Sequence, residues 1–231
     1  MQQEAYGEVF LINKPLEWTS FDVVKKVRNA LRIKKVGHAG TLDPLATGLL
    51  IVCAGKMTKQ IEGFMGQEKE YTGTFVIGAT TESFDLEKSI IPVADPSSIT
   101  VEQVQAAIQH LTGNILQIPP MHSAIKVDGK RVYASARLGI EVKMEARPVE
   151  VREFELTRFE NSEVGFRICC SKGTYIRSLA RDLGELLGVG AYLKSLCRTR
   201  IGDYSLTDAH ELPQLVEEIK SRHNENLPGL N

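Results

Sequence analysis

An isolated aspartate in a stretch rich in glycine and proline is the strongest candidate for chemistry in this sequence. Asp43 lies within residues 36–50, VGHAGTLDPLATGLL, and it is the only carboxylate between Asp22 and Glu62. Pro44 fixes its own φ and favours an extended conformation at Asp43. The leucines on either side partly desolvate the carboxylate. Such a group is suited to nucleophilic or general-base catalysis.

A turn without chemistry is the alternative interpretation of these residues. Asp-Pro dipeptides commonly occupy turns, and this one precedes an apolar run, Leu49–Ala54, that is typical of a buried strand. Against this, His38 and Thr41 offer hydrogen-bond donors to a carboxylate, and three glycines permit close approach of a ligand. For the dipeptide alone a turn is the better interpretation, so the choice depends on the complete stretch.

The complete stretch resembles the catalytic motif of the TruB-type tRNA pseudouridine synthases of bacteria. The family motif, G-H-x-G-x-L-D-P-x-A-T-G-x-L, is matched from Gly37 to Leu50. Residues 11–22, LINKPLEWTSFD, are similar to the family's K-P-x-G-x-T-S motif, although Glu17 stands where glycine is usual. The resemblance covers roughly residues 6–206. It implies an α/β (α+β) pseudouridine synthase fold: a long mixed, mainly antiparallel sheet with flanking helices and a thumb insertion.

The implied reaction isomerises uridine 55 in the T-loop of tRNA to pseudouridine. The N1–C1′ bond of a flipped-out nucleotide breaks, the uracil rotates, and C5 is joined to C1′ without a cofactor or a metal. Asp43 corresponds to the nucleophile, and the sequence leaves open whether it attacks C1′ or C6. Arg177, in the G-T-Y-I-R motif, would pair with Asp43 and keep it ionised. Tyr71 would stack on the uracil and assist proton removal at C5.

The same resemblance assigns residues to substrate binding and to support of the loop. His38 corresponds to the residue that fills the gap left by the flipped nucleotide, and Tyr175 and Leu196 match positions lining the uracil pocket. Lys14 is expected to support the active-site loop without reacting. Each of these residues has a structural alternative. His38 could be a capped histidine in a loop, and Tyr175 and Leu196 could simply pack in the core. Arg177 could likewise be a surface charge, and Tyr71 an edge-strand residue.

Residues 117–150 correspond to the thumb insertion. Between Met121 and Arg137 there are four basic residues and one acid, interleaved with Tyr133 and His122. Lys130 and Arg131 are therefore expected to bind RNA, whose backbone is anionic and whose bases stack on aromatic rings. The alternative is a solvated hairpin without a partner.

Hydrophobic periodicity predicts the elements that position these residues. Thr19 or Ser20 caps a first helix whose buried stripe opposes a basic face; that face is either solvated or in contact with phosphate. A capping box from Thr100 opens a second helix, and a third carries Arg177 and Arg181 on its exposed face. The predicted strands are Tyr6–Ile12, Lys69–Ile77, Val149–Glu160, Val164–Ser171 and Ile201–Leu206, and Leu49–Ala54 is a buried apolar run.

Composition bounds the class of protein. The chain has 231 residues, 42% hydrophobic and 25% charged, and no apolar leader or membrane-length run, which predicts a cytoplasmic globular protein. Its four cysteines lack zinc-ligand spacing. Residues 1–60 carry nine Lys or Arg against five acids, whereas residues 200–231 carry three against six. We expect a monomer with tRNA, bound by its T-arm, as the partner, and no protein partner.

The expected domain organisation is a single catalytic domain over residues 1–231. A short acidic helix at about 208–222 ends it, without a separate C-terminal RNA-binding domain. Two other classes of function compete with the synthase. A binding-only RNA module would need the thumb but neither Asp43 nor Arg177. A hydrolase with Asp43 as general base would release free uracil.

Overall fold

The computed structural model of the protein describes residues 7–121, 126–127, 130–131 and 144–225. Its helices in chain order are α1 (Ser20–Leu31), α2 (Ile61–Gly66), α3 (Val101–His110), α4 (Ile176–Leu187) and α5 (Leu212–Glu225). Its strands are β1 (Gly7–Lys14), β2 (Val36–His38), β3 (Ala46–Gly55), β4 (Lys69–Ile77), β5 (Ala79–Thr80), β6 (Ile91–Pro92), β7 (Gly113–Gln117), β8 (Lys126–Val127), β9 (Lys130–Arg131), β10 (Arg147–Glu160), β11 (Glu163–Cys170), β12 (Ala191–Ile201), β13 (Tyr204–Ser205) and β14 (His210–Glu211).

The chain divides into two compact units. The first comprises Met1–Tyr71 and Cys197–Asn231, and the second comprises Thr72–Leu196. β4 and β12 each contain one of these boundaries, so both strands contribute residues to both units. The single catalytic domain expected from the sequence stays a prediction.

The first unit is built on β3, which pairs antiparallel with β1 and with β2. β14 adds to the other side of β1 in parallel. Side chains of β3 alternate between two covered faces: Leu50 and Val52 pack with α1 and α5, and Leu49 and Ile51 pack with Phe64 of α2. Because both faces are buried, β3 has an uninterrupted apolar sequence, and the predicted buried run Leu49–Ala54 is part of this strand.

α1 begins at the predicted cap. The Thr19 hydroxyl accepts from the Asp22 backbone N–H at 3.0 Å, and the Asp22 carboxylate accepts from the Thr19 N–H at 3.1 Å. This reciprocal capping box satisfies two N–H groups that the helix leaves unpaired. The helix ends at Arg32, which has φ 54°. The predicted apolar stripe is buried, and Lys25 and Lys26 lie exposed on the opposite side.

The second unit contains a long antiparallel hairpin of β10 and β11, with β7 paired to the start of β10. Phe75 of β4 stacks on Phe166 of β11 with ring centroids 4.2 Å apart, and Phe154 of β10 meets both rings edge-on. α3 begins with the predicted capping box between Thr100 and Gln103. The strands predicted for β4, β10 and β11 are confirmed.

The fold class predicted from the sequence is confirmed: an α/β fold with mostly antiparallel strands and flanking helices. The strand predicted at Ile201–Leu206 is wrong, because β12 ends at Ile201 and Gly202 (φ 53°) turns the chain into β13. The final helix starts at Leu212, since residues 206–208 form a separate turn of 3-10 helix. In the described part of the chain no helix is both long and apolar enough to span a membrane.

Most of the predicted thumb, residues 122–125, 128–129 and 132–143, lies outside the described residues. Within it, β8 and β9 pair antiparallel, with Lys126 opposite Arg131 and Val127 opposite Lys130. The strand β7 ends at Gln117, and β10 begins at Arg147.

Candidate active site

Asp43 lies in the loop between β2 and β3, and the residues on either side of it are fixed. The Leu42 N–H donates to the Ser20 hydroxyl at 2.9 Å, and that hydroxyl donates back to the Leu42 carbonyl at 3.1 Å. On the other side, the Glu17 N–H donates to the Pro44 carbonyl at 2.9 Å. Asp43 itself is half-buried. The loop is therefore held from the segment that precedes α1, the second stretch carrying the family resemblance.

Lys14 is buried completely and holds the same loop. Its Nζ donates to the carbonyls of Trp18 at 2.6 Å, Pro15 at 2.9 Å and Pro44 at 3.3 Å. Burial lowers the pKa of Lys14 from 10.5 to about 8, and the nearby charge of Asp43 acts in the opposite direction. These contacts join the turn at residues 15–18 to the carbonyl of Pro44, the residue that follows Asp43. The loop-supporting role expected for Lys14 stays a prediction.

Glu17 shows why the family motif usually has glycine at this position. Its φ is 66°, in the left-handed region, and this conformation directs its N–H to the Pro44 carbonyl. A non-glycine residue pays about 1–2 kcal/mol for such a conformation. This chain therefore has glutamate in a left-handed conformation at the turn, with strain stored beside the loop that carries Asp43.

His38, the last residue of β2, lies opposite Val52 of β3. Within the described part of the chain its Nδ1 atom is buried and has no hydrogen-bond partner. Burial and the charge of Arg198 lower the pKa of His38 below 6.5, against a hydrogen bond with the Gly40 backbone that raises it. The lowered pKa favours the neutral imidazole near pH 7.

Arg198 is a residue that the sequence did not single out. It belongs to β12, its side chain is 1% exposed, and its guanidinium donates to the Leu49 carbonyl from Nε at 2.8 Å and to the Gly40 carbonyl from Nη2 at 3.1 Å. A signal was present: Leu196, Arg198 and Arg200 alternate with their neighbours, which would place all three on one face of a strand.

In the second unit, Arg177 is buried near the start of α4. Its Nε lies 3.5 Å from the Asp85 carboxylate, and its Nη1 donates to the Ser83 carbonyl at 3.2 Å. Asp85 also accepts from the Ser83 hydroxyl at 2.5 Å and from the Glu87 N–H at 3.0 Å. The placement of Arg177 on the exposed helix face was wrong, because the residue is 4% exposed. Its pairing with Asp43, which belongs to the first unit, stays a prediction.

Tyr175 is fixed through its backbone by a single amide side chain. The Tyr175 N–H donates to Oε1 of Gln117 at 2.8 Å, and Nε2 of Gln117 donates to the Tyr175 carbonyl at 3.2 Å. One turn later, the Ser178 hydroxyl donates to the Ile118 carbonyl at 2.9 Å. The start of α4, which carries Tyr175 and Arg177, is thus attached to the end of β7.

The remaining predicted site residues lie on strands. Tyr71 is half-buried on β4 in the first unit, and Leu196 is half-buried on β12 in the second. Lys130 and Arg131 form β9. The first unit thus brings together Asp43, His38 and Lys14, and the second Arg177 and Tyr175. Searched over its described residues, the chain holds no group of three His, Cys, Asp or Glu side chains placed to bind a metal.

Comparison with known proteins identifies the family. Residues 28–176 match the model of the TruB family pseudouridylate synthase N-terminal domain, and residues 177–228 match that of the tRNA pseudouridylate synthase B C-terminal domain. The chain is 50% identical over 227 residues to tRNA pseudouridine synthase B of Phocaeicola vulgatus, covering 96% of this chain and 97% of the relative.

Further relatives agree with this match. Identity to tRNA pseudouridine synthase B of Flavobacterium johnsoniae is 47%, covering 95% of this chain and all of the relative. Among solved structures, a chain of a Cbf5-Nop10-Gar1 complex has a TM-score of 0.75 and 27% identity, covering 98% of this chain and 58% of that one. This chain belongs to the TruB family of tRNA pseudouridine synthases, which are isomerases.

Proposed function

We propose that this protein isomerises uridine 55 in the T-loop of tRNA to pseudouridine, with Asp43 as the nucleophile and without a cofactor. The observation that carries the proposal is the anchoring of the Asp43 loop. Ser20 and Glu17 hold the peptide groups on either side of Asp43, and the buried Lys14 holds the same carbonyl as Glu17. A nucleophile gains from a fixed position, because proximity and orientation account for a large part of enzymatic rate.

The reaction exchanges one bond of the nucleotide for another. The N1–C1′ bond breaks, the uracil turns, a C5–C1′ bond forms, C5 loses its proton and N1 gains one. Asp43 attacks C1′ of the ribose or C6 of the ring, and either route needs a base that is out of the helical stack. The neutral, partly buried His38 would occupy the space that this base leaves. Tyr71 would stack on the uracil and assist removal of the C5 proton.

The second unit would supply the counter-charge and the uracil pocket. Arg177 would pair with Asp43 in the complex, while Asp85, held by two further hydrogen bonds, fixes the guanidinium from behind. A buried arginine with a carboxylate partner keeps one orientation, which suits it to a second, bidentate contact. Tyr175 and Leu196 would line the uracil pocket. Lys130 and Arg131 would contact the phosphates of the T-arm.

The decisive experiment replaces Asp43 by asparagine. Asp43→Asn keeps the size of the side chain and removes the nucleophilic charge, so turnover should disappear while tRNA binding stays nearly unchanged. Tritium release from C5-labelled uridine in tRNA measures turnover, and filter binding measures affinity. The exposed Asp203, changed to asparagine in the same way, serves as the control and should retain full activity.

Two results would contradict the proposal. Pseudouridine formation by purified Asp43→Asn would remove Asp43 as the nucleophile. Release of free uracil by the unaltered protein would show a hydrolase, because an isomerase returns the base to the same ribose.

A further inference from the structure

Arg198 presents an energetic problem that its hydrogen bonds alone do not explain. Its side chain is 1% exposed, and no carboxylate of the described residues lies within 4.0 Å of it. Buried charges are normally paired, because desolvation of an ion costs several kcal/mol. Its two acceptors are neutral carbonyls, which a smaller neutral donor could also satisfy. A cation retained under these conditions points to a role beyond packing.

Arg198 binds one carbonyl within the loop that carries Asp43 and a second carbonyl in β3, the strand that follows this loop. Gly40 lies three residues before Asp43, and Leu49 lies six residues after it. The guanidinium donates to both, so it closes the base of the segment that carries Asp43. The backbone of Arg198 is equally close to this segment: a Cβ on Gly48 would lie 2.4 Å from the Arg198 carbonyl oxygen. Gly48, with φ 100°, leaves the space that this approach requires.

The charge of Arg198 also acts on the groups around the loop. It lowers the pKa of Lys14 and of His38, whereas Asp43 raises that of Lys14. Lys14, Arg198 and Asp43 therefore act on one another electrostatically, and Asp22 also raises the pKa of Lys14. Because the site excludes water in part, a fixed positive charge there has a stronger effect than at the surface.

We infer that Arg198 is a positioning residue for Asp43, which closes the base of the catalytic loop and holds positive charge beside it. This inference rests on the proposed role of Asp43. Arg198 acts through the loop and the potential around it, and it is not assigned contact with the reacting atoms. Lys14 and Ser20 hold residues next to Asp43, and Arg198 ties the loop at Gly40 to β3 at Leu49.

The test compares Arg198→Lys and Arg198→Met with a matched control on the same strand. Arg200→Met removes a guanidinium that pairs with Glu68 and Glu70. Single-turnover rates at saturating enzyme report on chemistry, and tRNA dissociation constants report on binding. Displacement of a catalytic group by about 1 Å can cost about 100-fold in rate.

We expect Arg198→Lys, which keeps the charge but cannot span both carbonyls, to lose at least about tenfold in single-turnover rate, and Arg198→Met at least about 100-fold. The tRNA dissociation constant of Arg198→Lys should stay within about twofold of the unaltered protein, and Arg200→Met should keep its rate. A rate for Arg198→Lys within about twofold of the unaltered protein would overturn the inference, as would a loss explained by weaker binding. Absence of pseudouridine with the unaltered protein and with Arg200→Met would instead reject the proposed function.

A second measurement does not depend on catalysis. Since the charge of Arg198 is one cause of the lowered pKa of Lys14, Arg198→Met should raise that pKa, and Arg198→Lys should not. NMR titration of the Lys14 ammonium in each folded variant measures the shift. An unchanged titration in Arg198→Met would overturn the electrostatic part of the inference. If Arg198→Met does not fold, the neutral Arg198→Gln takes its place in the titration.

Discussion

Replacement of Glu17 by glycine should stabilise the protein, although it removes a side chain. Glu17 has φ 66°, and the left-handed conformation costs a non-glycine residue about 1–2 kcal/mol. Glycine avoids this cost but loses about 0.4–1 kcal/mol, because it has more conformational freedom in the unfolded chain. The difference favours Glu17→Gly by about 0.8 kcal/mol at the middle of these ranges, which together span about 0–1.6 kcal/mol. For a chain of this length that corresponds to a rise of about 2–3 °C in Tm.

Glu17→Ala is the matched control for this prediction. Alanine also removes the carboxylate but keeps the left-handed strain, so the comparison separates the effect of the lost side chain from the effect of the relieved backbone. Urea denaturation and thermal melting of the three proteins should place Glu17→Gly above both others, with its activity unchanged because the N–H donor to Pro44 is kept. Equal stability of the glycine and alanine variants would refute the argument from backbone strain.

Two further predictions concern stability. Because the pKa of Lys14 is lowered from 10.5 to about 8, the unfolded chain binds more protons between these pH values, and stability to urea should rise from pH 8 to 10.5. Lys14→Met should remove that rise, and parallel curves for the two proteins would contradict it. Gly184→Ala would place a Cβ 2.1 Å from the backbone nitrogen of Ala191 and should lose about 1–3 kcal/mol in urea denaturation. Gly63 has open space around it, so Gly63→Ala should raise the free energy of unfolding by about 0.5–1 kcal/mol. If both glycine variants changed the free energy of unfolding in the same direction, this pair of predictions would be contradicted.

Local signals in the sequence predicted much of the fold. The capping box at Thr100 was found because both of its partners lie within three residues, and Thr19 was one of the two caps expected for α1. Leu49–Ala54 was recognised as a buried run from its uninterrupted apolar side chains, and it lies in β3. β12 was not predicted, since Lys194 and Ser195 are exposed in succession and interrupt the alternation that marks a strand.

In the candidate site, too, residues marked by their sequence neighbours were predicted, and contacts between residues far apart in the chain were not. Asp43 was found from the residues next to it, and the role of Lys14 was expected from its motif. The contact between Arg177 and Asp85 was not predicted, because these residues lie more than ninety positions apart. The contact of Arg198 with the Leu49 carbonyl was missed for the same reason, with a separation of about 150 positions. A hydrogen-bond partner at such a distance is decided by tertiary structure, which periodicity does not report.

The contact between Gln117 and Tyr175 has a mechanical consequence. Gln117 is the last residue of β7, at the root of the predicted RNA-binding insertion, and Tyr175 is the N-cap of α4. Two hydrogen bonds join them, and Ser178 adds a third to Ile118. Displacing this root would break all three, at about 1 kcal/mol each. The end of β7 and the first turn of α4 are therefore joined by two side chains, the Gln117 amide and the Ser178 hydroxyl, and a displacement of residues 117–118 would be passed to the helix that carries Arg177.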